Sequence, residues 1–238
     1  MNRNILIIGA SRGIGAAIAE YYYTKGCSVI SVSRSRSKYG EWVEADVSTQ
    51  GGILKVINAV SERTIDALLF MGGVWEHGAF TDDYDFMKSS HDETQFVVNV
   101  NLIAPIEITK GLLRNLRMAE NPRAIYMGAI SGLDSSDTLE VAYSASKFGL
   151  RGAIHALRLG YKNEGIGFTV INPSYVETPE VRKEIDSGEL PNLIPIPMSD
   201  IVLAVDSVLQ FSRNTEISDI TLMQKFEYSK DTMGALTS

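Results

Sequence analysis

The feature that most constrains this chain is a glycine-rich junction, Gly9-Ala10-Ser11-Arg12-Gly13-Ile14-Gly15, set between two patterned segments. Before it, Asn4 to Ile8 is a short apolar run. After it, Ile14, Ala17, Ile18, Tyr21 and Tyr22 recur at i, i+3, i+4, i+7 and i+8, which is one face of a helix. The order is strand, turn, helix. Glycines there permit a tight turn, let the backbone approach a pyrophosphate and allow the helix to pack closely, while free N–H groups at the helix start face an anion. Gly9, Ser11, Arg12, Gly13, Ile14 and Gly15 are therefore candidate phosphate-binding residues. Gly26 stops the helix, and Ser28 to Ser33 reads as a second strand that must run parallel to the first.

The alternation continues to the end of the chain. Strands are expected at Trp42–Ala45, Ala67–Phe70, Ala124–Met127, Gly167–Ile171 and Asp219–Leu222. Helices are expected near 52–63, 94–118, 142–162 and 199–212, with Pro105 bending the second or removing one of its backbone bonds. His77 to Thr94 reads as a loop with a short helix. Strands separated by helices predict an α/β fold, a doubly wound parallel sheet of six to seven strands with helices on both faces. No linker interrupts this pattern, so residues 1–225 are expected to form a single domain. The proline-rich stretch from Pro173 to Pro197 predicts a lid over about residues 179–198, with Leu190, Leu193, Ile194, Ile196 and Met198 as its apolar walls. Residues 226–238 read as a polar, fraying tail.

Composition excludes several classes of function. With 22 Lys+Arg against 29 Asp+Glu, a net charge of −7 gives no electrostatic footprint for a phosphate backbone, so no nucleic-acid partner is expected. No apolar run is long enough to predict a membrane span. The single Cys27 and the scattered His77, His91 and His155 make neither a disulfide nor a zinc spacing, so no metal is expected and a cytoplasmic setting fits best.

Two further clusters carry chemistry. An NAD site usually has an acidic residue after the second strand to bind the ribose 2′-OH, whereas this chain has Ser33-Arg34 there and Arg12 in the turn. The planar guanidinium fork suits a 2′-phosphate, so NADP(H) is expected over NAD(H). Tyr143 and Lys147, at i and i+4, share one helix face. A free phenol titrates about three units above neutral pH, equivalent to about 4 kcal/mol, and a unit charge at ~4 Å in an effective dielectric of ~20 supplies about that much. Lys147 is therefore expected to lower the pKa of Tyr143 and make it a general acid/base.

Together these residues resemble the short-chain dehydrogenase/reductase family. Ile8 to Gly15 is similar to its T-G-A-S-R-G-I-G signature, Tyr143 to Lys147 to its Y-x-x-x-K, and Asn172-Pro173-Ser174-Tyr175-Val176-Glu177-Thr178 to its N-P-G-x-V-x-T. The resemblance implies a Rossmann-type sheet and hydride transfer between nicotinamide and a small carbonyl or alcohol substrate. It implies that Tyr143 exchanges a proton with the substrate oxygen and that Lys147 also binds the nicotinamide ribose. Asn101 would hold a relay water at a kink in the long helix. It further assigns Asp46 and Val47 to the adenine, Gly72 and Gly73 to the adenosine ribose, and Pro173, Val176 and Thr178 to the nicotinamide side. A homodimer or homotetramer through the two long helices is implied as well.

The chain departs from the family pattern at three places. Ile8 replaces the usual threonine, and Phe70-Met71-Gly72-Gly73 lacks the asparagine that braces the strands. The catalytic serine is expected thirteen residues before the tyrosine, where this chain has Ile130. Ser131 is assigned the role, with Ser135 and Ser136 as alternatives. These departures leave two other readings open, a catalytically silent NADP(H)-binding sensor or scaffold and an epimerase or dehydratase of the same fold.

Overall fold

The computed structural model describes residues 3–134, 137–190 and 192–225. Seven strands, β1 Asn4–Ile8, β2 Ser28–Ser33, β3 Glu41–Glu44, β4 Ala67–Phe70, β5 Arg123–Met127, β6 Gly167–Pro173 and β7 Asp219–Leu222, form one sheet in the order β3-β2-β1-β4-β5-β6-β7. Every pairing is parallel. The helices are α1 Gly13–Thr24, α2 Gln50–Val60, α3 His91–Val98, α4 Ala104–Arg117, α5 Val141–Gly160, α6 Pro179–Ser187 and α7 Met198–Gln210.

Both faces of the sheet are covered, which is why the central strands read as unbroken apolar runs rather than alternating ones. Alternate side chains serve two cores. Leu6, Ile8, Leu68, Phe70 and Tyr126 pack with Ile53, Ile108, Leu112, Leu150 and Ile154 of α2, α4 and α5. Ile5, Ile7, Leu69 and Ile125 pack with Ile18 and Tyr22 of α1 and Ile201, Val205 and Val208 of α7. Tyr22 is tied into that second layer by its hydroxyl, which donates to Asp206 of α7 at 3.2 Å.

The long helix differs from expectation in an instructive way. It begins at His91, where the Ser90 hydroxyl accepts the Glu93 N–H at 3.1 Å, and it widens into a π-helical turn over Asn99–Ile103. Pro105 then falls in the first turn of α4, so the widened turn absorbs the missing N–H instead of a sharp bend. The helical stretch His91–Arg117 is long and apolar enough to cross a membrane, with a mean hydropathy of 1.4 in its most apolar window, but half of that window is buried in the fold.

Residues 179–198 contain a helix that the sequence pattern does not announce. The Thr178 hydroxyl caps α6 by accepting the Val181 N–H at 3.3 Å, and Gly188, at φ +83°, ends it. The segment returns to the body where Ile196 bridges Val176. Ile196 and Met198 consequently join the second core and Ile194 points outward, so of the five expected apolar lid residues only Leu190 lines the cavity beneath. The expected tail, 226–238, and the alternative serines, Ser135 and Ser136, lie outside the described residues.

The sheet order reverses between β1 and β4, and there two backbones nearly touch. A Cβ on Gly9, which has φ +89°, would lie 2.6 Å from Gly72 Cα. Gly9→Ala therefore combines a left-handed conformation with a backbone clash and is expected to destabilise the protein by about 1–3 kcal/mol. Gly51→Ala in α2, where nothing lies within 4 Å of the new methyl, is expected to be neutral or slightly stabilising. Urea unfolding of the two variants checks the contrast.

Candidate active site

A cavity of about 1780 Å³ opens beyond the carboxyl ends of β1, β2, β4, β5 and β6, the side on which open α/β sheets bind ligands. Its floor begins at the glycine turn. The Gly9 and Ala10 N–H groups donate to Val32 O at 2.8 and 3.1 Å, tying the turn to β2. Gly15 is needed because a Cβ there would lie 2.1 Å from Gly9 O. Arg12 is the N-cap of α1, and its side chain makes no capping bond to the helix start. Ser11, Gly13 and Ile14 face the cavity beside it.

At the far end of the floor lie Ser33, Arg34, Asp46 and Val47. The Ser33 hydroxyl is engaged internally, donating to Ser35 O at 2.7 Å and accepting from Trp42 Nε1 at 3.2 Å. Arg34 is exposed, with its guanidinium over the Phe96 ring. Arg12 reaches the opposite rim and pairs with Glu180 of α6 at 3.1 Å. The missing strand-bracing asparagine is replaced by backbone: the Met71 and Gly72 N–H groups donate to Ile8 O at 2.9 and 3.0 Å.

Asn101 occupies the π-helical turn and is buried. Its Oδ1 accepts the Val74 N–H at 3.0 Å, and its Nδ2 donates to Val74 O at 2.7 Å and to Ser146 Oγ at 3.1 Å. It thus ties the strand after β4 to α5. Lys147, buried on α5, donates from Nζ to Met127 O at 2.9 Å and lies 5.5 Å from the Tyr143 ring centre. Ser131 sits in a short 3-10 turn after β5 and lines the same cavity as Tyr143 and Lys147, and its carbonyl accepts from Ser144 Oγ at 3.0 Å. Pro173, Val176 and Thr178 line the wall across from the glycine turn, with the Thr178 methyl facing Gly13.

The electrostatics reverse one expectation. Tyr143 is pushed up from the ordinary phenol value, first by burial, then by the negative charges of Glu140 and Glu76 and by Tyr175. Lys147 does not pull it down here. Burial weakens the lysine's own positive charge and lowers its pKa to about 8. The site thus holds a phenol that keeps its proton at neutral pH, and a lysine that gives one up readily.

Three residues that pattern and spacing do not flag, Phe80, Glu76 and Glu140, complete the site. Phe80 stacks edge-on to Tyr143, with ring centres 5.4 Å apart, and Trp75 and Tyr175 extend the aromatic wall. Glu76 and Glu140 are buried at 2% and 4% exposure. Their contacts cross more than fifty residues of chain, so no periodic pattern marks them. His77 is exposed, with its N–H on Glu93 at 2.6 Å, and His155 faces away on the outside of α5.

Comparison with known proteins agrees with this geometry. The family model described as short chain dehydrogenase matches residues 3–189. The chain belongs to the short-chain dehydrogenase family. It is 27% identical over 230 residues to the 3-oxoacyl-(acyl-carrier-protein) reductase FabG of Salmonella typhimurium, covering 91% of each chain. It is 28% identical over 197 residues to the 3-dehydrosphinganine reductase TSC10B of Arabidopsis thaliana, covering 77% of this chain but only 58% of the relative. Among solved structures, the aldohexose dehydrogenase of Thermoplasma acidophilum superposes with a TM-score of 0.79 at 19% identity, over 96% of this chain and 98% of that one. BdcA in complex with NADPH superposes at 0.78 with 20% identity, over 94% of each.

The depressed lysine has a measurable consequence. Between pH 8 and 10 the unfolded chain carries the Lys147 proton while the folded, cofactor-free protein has begun to lose it, so stability rises with pH from this group. Below pH 8 the lysine is charged in both states and its burial opposes folding in full. Lys147→Met is expected to flatten that rise, by about 1–3 kcal/mol between pH 7.5 and 9.5, in urea unfolding of the cofactor-free protein.

Proposed function

We propose that the chain is an NADP(H)-dependent oxidoreductase acting on a small to medium-sized carbonyl or hydroxyl substrate, with Tyr143 as its general acid/base. The observation that carries this reading is the meeting of Tyr143, Ser131 and Lys147 in one cavity with the glycine turn. The turn and the uncapped start of α1 fit a pyrophosphate. Arg12 and Arg34 supply charge for a 2′-phosphate, and Asp46 and Val47 border the adenine end. Pro173, Val176 and Thr178 border the nicotinamide end. The NADPH complex of BdcA, the NADP complex of ElxO and the reductase names of the sequence relatives support this choice.

When bound, the nicotinamide supplies or accepts the hydride. The residues of this chain do the rest. Tyr143 donates its proton to the substrate oxygen, and the Ser131 hydroxyl donates a hydrogen bond to the same oxygen as charge develops on it. Lys147 holds the ribose and restores the proton, and Asn101 fixes the backbone around Val74 against α5. At neutral pH the phenol keeps its proton, the state from which a carbonyl oxygen is protonated. Trp75, Phe80, Tyr175 and Leu190 make an apolar, aromatic wall for the substrate. The chain would assemble as a homodimer or homotetramer, with exposed Ile103 in the π turn and Phe148 and Leu159 on α5 providing contact surface.

Tyr143→Phe is expected to lower NADPH-dependent carbonyl reduction by at least about 100-fold while NADPH binding, followed by fluorescence, is retained. Wild-type turnover in this variant would overturn the assignment. NADPH binding without turnover across a broad carbonyl panel would instead favour a silent sensor, and turnover that leaves the cofactor's redox state unchanged would favour an epimerase or dehydratase. Arg34→Asp is expected to weaken NADPH about 10- to 100-fold relative to NADH, measured by titration of both.

A further inference from the structure

The first turn of α5 takes its hydrogen bonds from the loop that follows β4. The Val141 N–H donates to the Tyr84 hydroxyl at 3.0 Å, the Ala142 N–H to Glu76 Oε1 at 2.7 Å, and the Tyr143 N–H to both Glu76 oxygens at 3.3 and 3.2 Å. The exchange is reciprocal. Glu140, the N-cap residue of α5, makes no capping bond to its own helix and accepts the Phe80 N–H of that loop through Oε1 at 2.7 Å. Two carboxylates thus cross between the loop and the helix that carries Tyr143.

A helix cap alone does not require this. Serine or threonine would satisfy the same N–H groups without bringing net charge into a dry site, where a buried carboxylate is costly unless well bonded. Neither Glu76 nor Glu140 has an ion-pair partner among the described residues, and both are nearly fully buried. Both stand beside the one phenol that faces the cavity from α5.

We propose that Glu76 and Glu140 are positioning residues for Tyr143: their crossed hydrogen bonds fix the start of α5, with its phenol, and the Trp75–Phe80 wall in one frame and set two carboxylates beside it. This rests on the reading of Tyr143 as the proton donor. The groups facing Tyr143 are Glu76 from the loop after β4, Glu140 and Lys147 on α5, Tyr175 from the loop after β6, and the Tyr84 hydroxyl at the helix start. The two carboxylates and Tyr175 oppose ionisation of the phenol, after burial itself. Only Lys147 carries the opposite sign.

The test reads the proton directly. In protein saturated with NADP⁺ and labelled with ¹³C at tyrosine Cζ, the Tyr143 resonance is assigned by its loss in Tyr143→Phe. Glu76→Gln and Glu140→Gln keep an oxygen acceptor and remove the charge, so Tyr143 is expected to titrate at lower pH in each, while Tyr126, in the opposite core, does not move. In turnover, the same variants shift the basic limb of the kcat profile to lower pH and leave the KM for NADPH unchanged. A Tyr143 titration identical to wild type in either folded variant overturns the proposal. So does an equal shift in Phe80→Leu, which disturbs packing and removes no charge. If one glutamine variant fails to fold, the other decides. The titration needs no substrate, so a protein that reduces nothing refutes the oxidoreductase reading while leaving the carboxylate effect measurable.

Discussion

The contact between Gly9 and Gly72 is the constraint on which the site depends. Parallel strands β1 and β4 part at their carboxyl ends, and they do so with backbones too close for a Cβ at Gly9. That contact sends the chain after β4 across the mouth of the sheet, with the Gly72 N–H still on Ile8 O. From there each step is held by a named group. Asn101 takes both backbone groups of Val74, Glu76 takes the first N–H groups of α5, and α5 presents Tyr143 and Lys147 to the cavity. A shift at the glycine contact would therefore reach the phenol through three sets of hydrogen bonds.

Most of the fold was legible because each strand and helix carries its own period. Ala67–Phe70 and Asp219–Leu222 fall where the sequence pattern predicts them, and the parallel pairing follows from strands joined by helices. The glycine turn and the Tyr143–Lys147 pair were legible for a related reason: short spacings tie them to local geometry, whereas Asn101 was marked by the family resemblance alone. Ser131 was placed by allowing one residue of slack in a loop, and the structure does bring it to the cavity. What could not be read lies in contacts between distant segments. Glu76 looks like any polar residue after a Gly-Gly turn, and its importance depends on α5 arriving beside it sixty-six residues later. Helix α6 was hidden because proline and charge dominate its sequence, and none of its residues is buried to give a period.

The state of Tyr143 shows how a sound local argument can lose to its surroundings. A lysine one turn away has enough Coulomb energy to make a phenol acidic if it is charged and close. Here its Nζ donates to Met127 O and lies 5.5 Å from the phenol ring centre, and burial lowers its own pKa to about 8. The same burial, with two carboxylates added, opposes the phenolate. Desolvation acts on both partners and disfavours both charges, so the pair resists becoming phenolate and ammonium together.

That resistance fits the uneven charge of the whole cavity. On the proposed reading a chain of net charge −7 must gather positive groups where an anionic cofactor would lie, and Arg34 at the far end of the floor and Arg12 on the opposite rim are the candidates. Around the aromatic wall the sign is opposite, with Glu140 and Glu184 lining the cavity and Glu76 buried against the start of α5; Glu184 is pushed up by burial and by Glu189 and Glu180. Lys147 stands between the two ends. The field along the cavity therefore draws negative charge toward the glycine turn and opposes ionisation of the phenol.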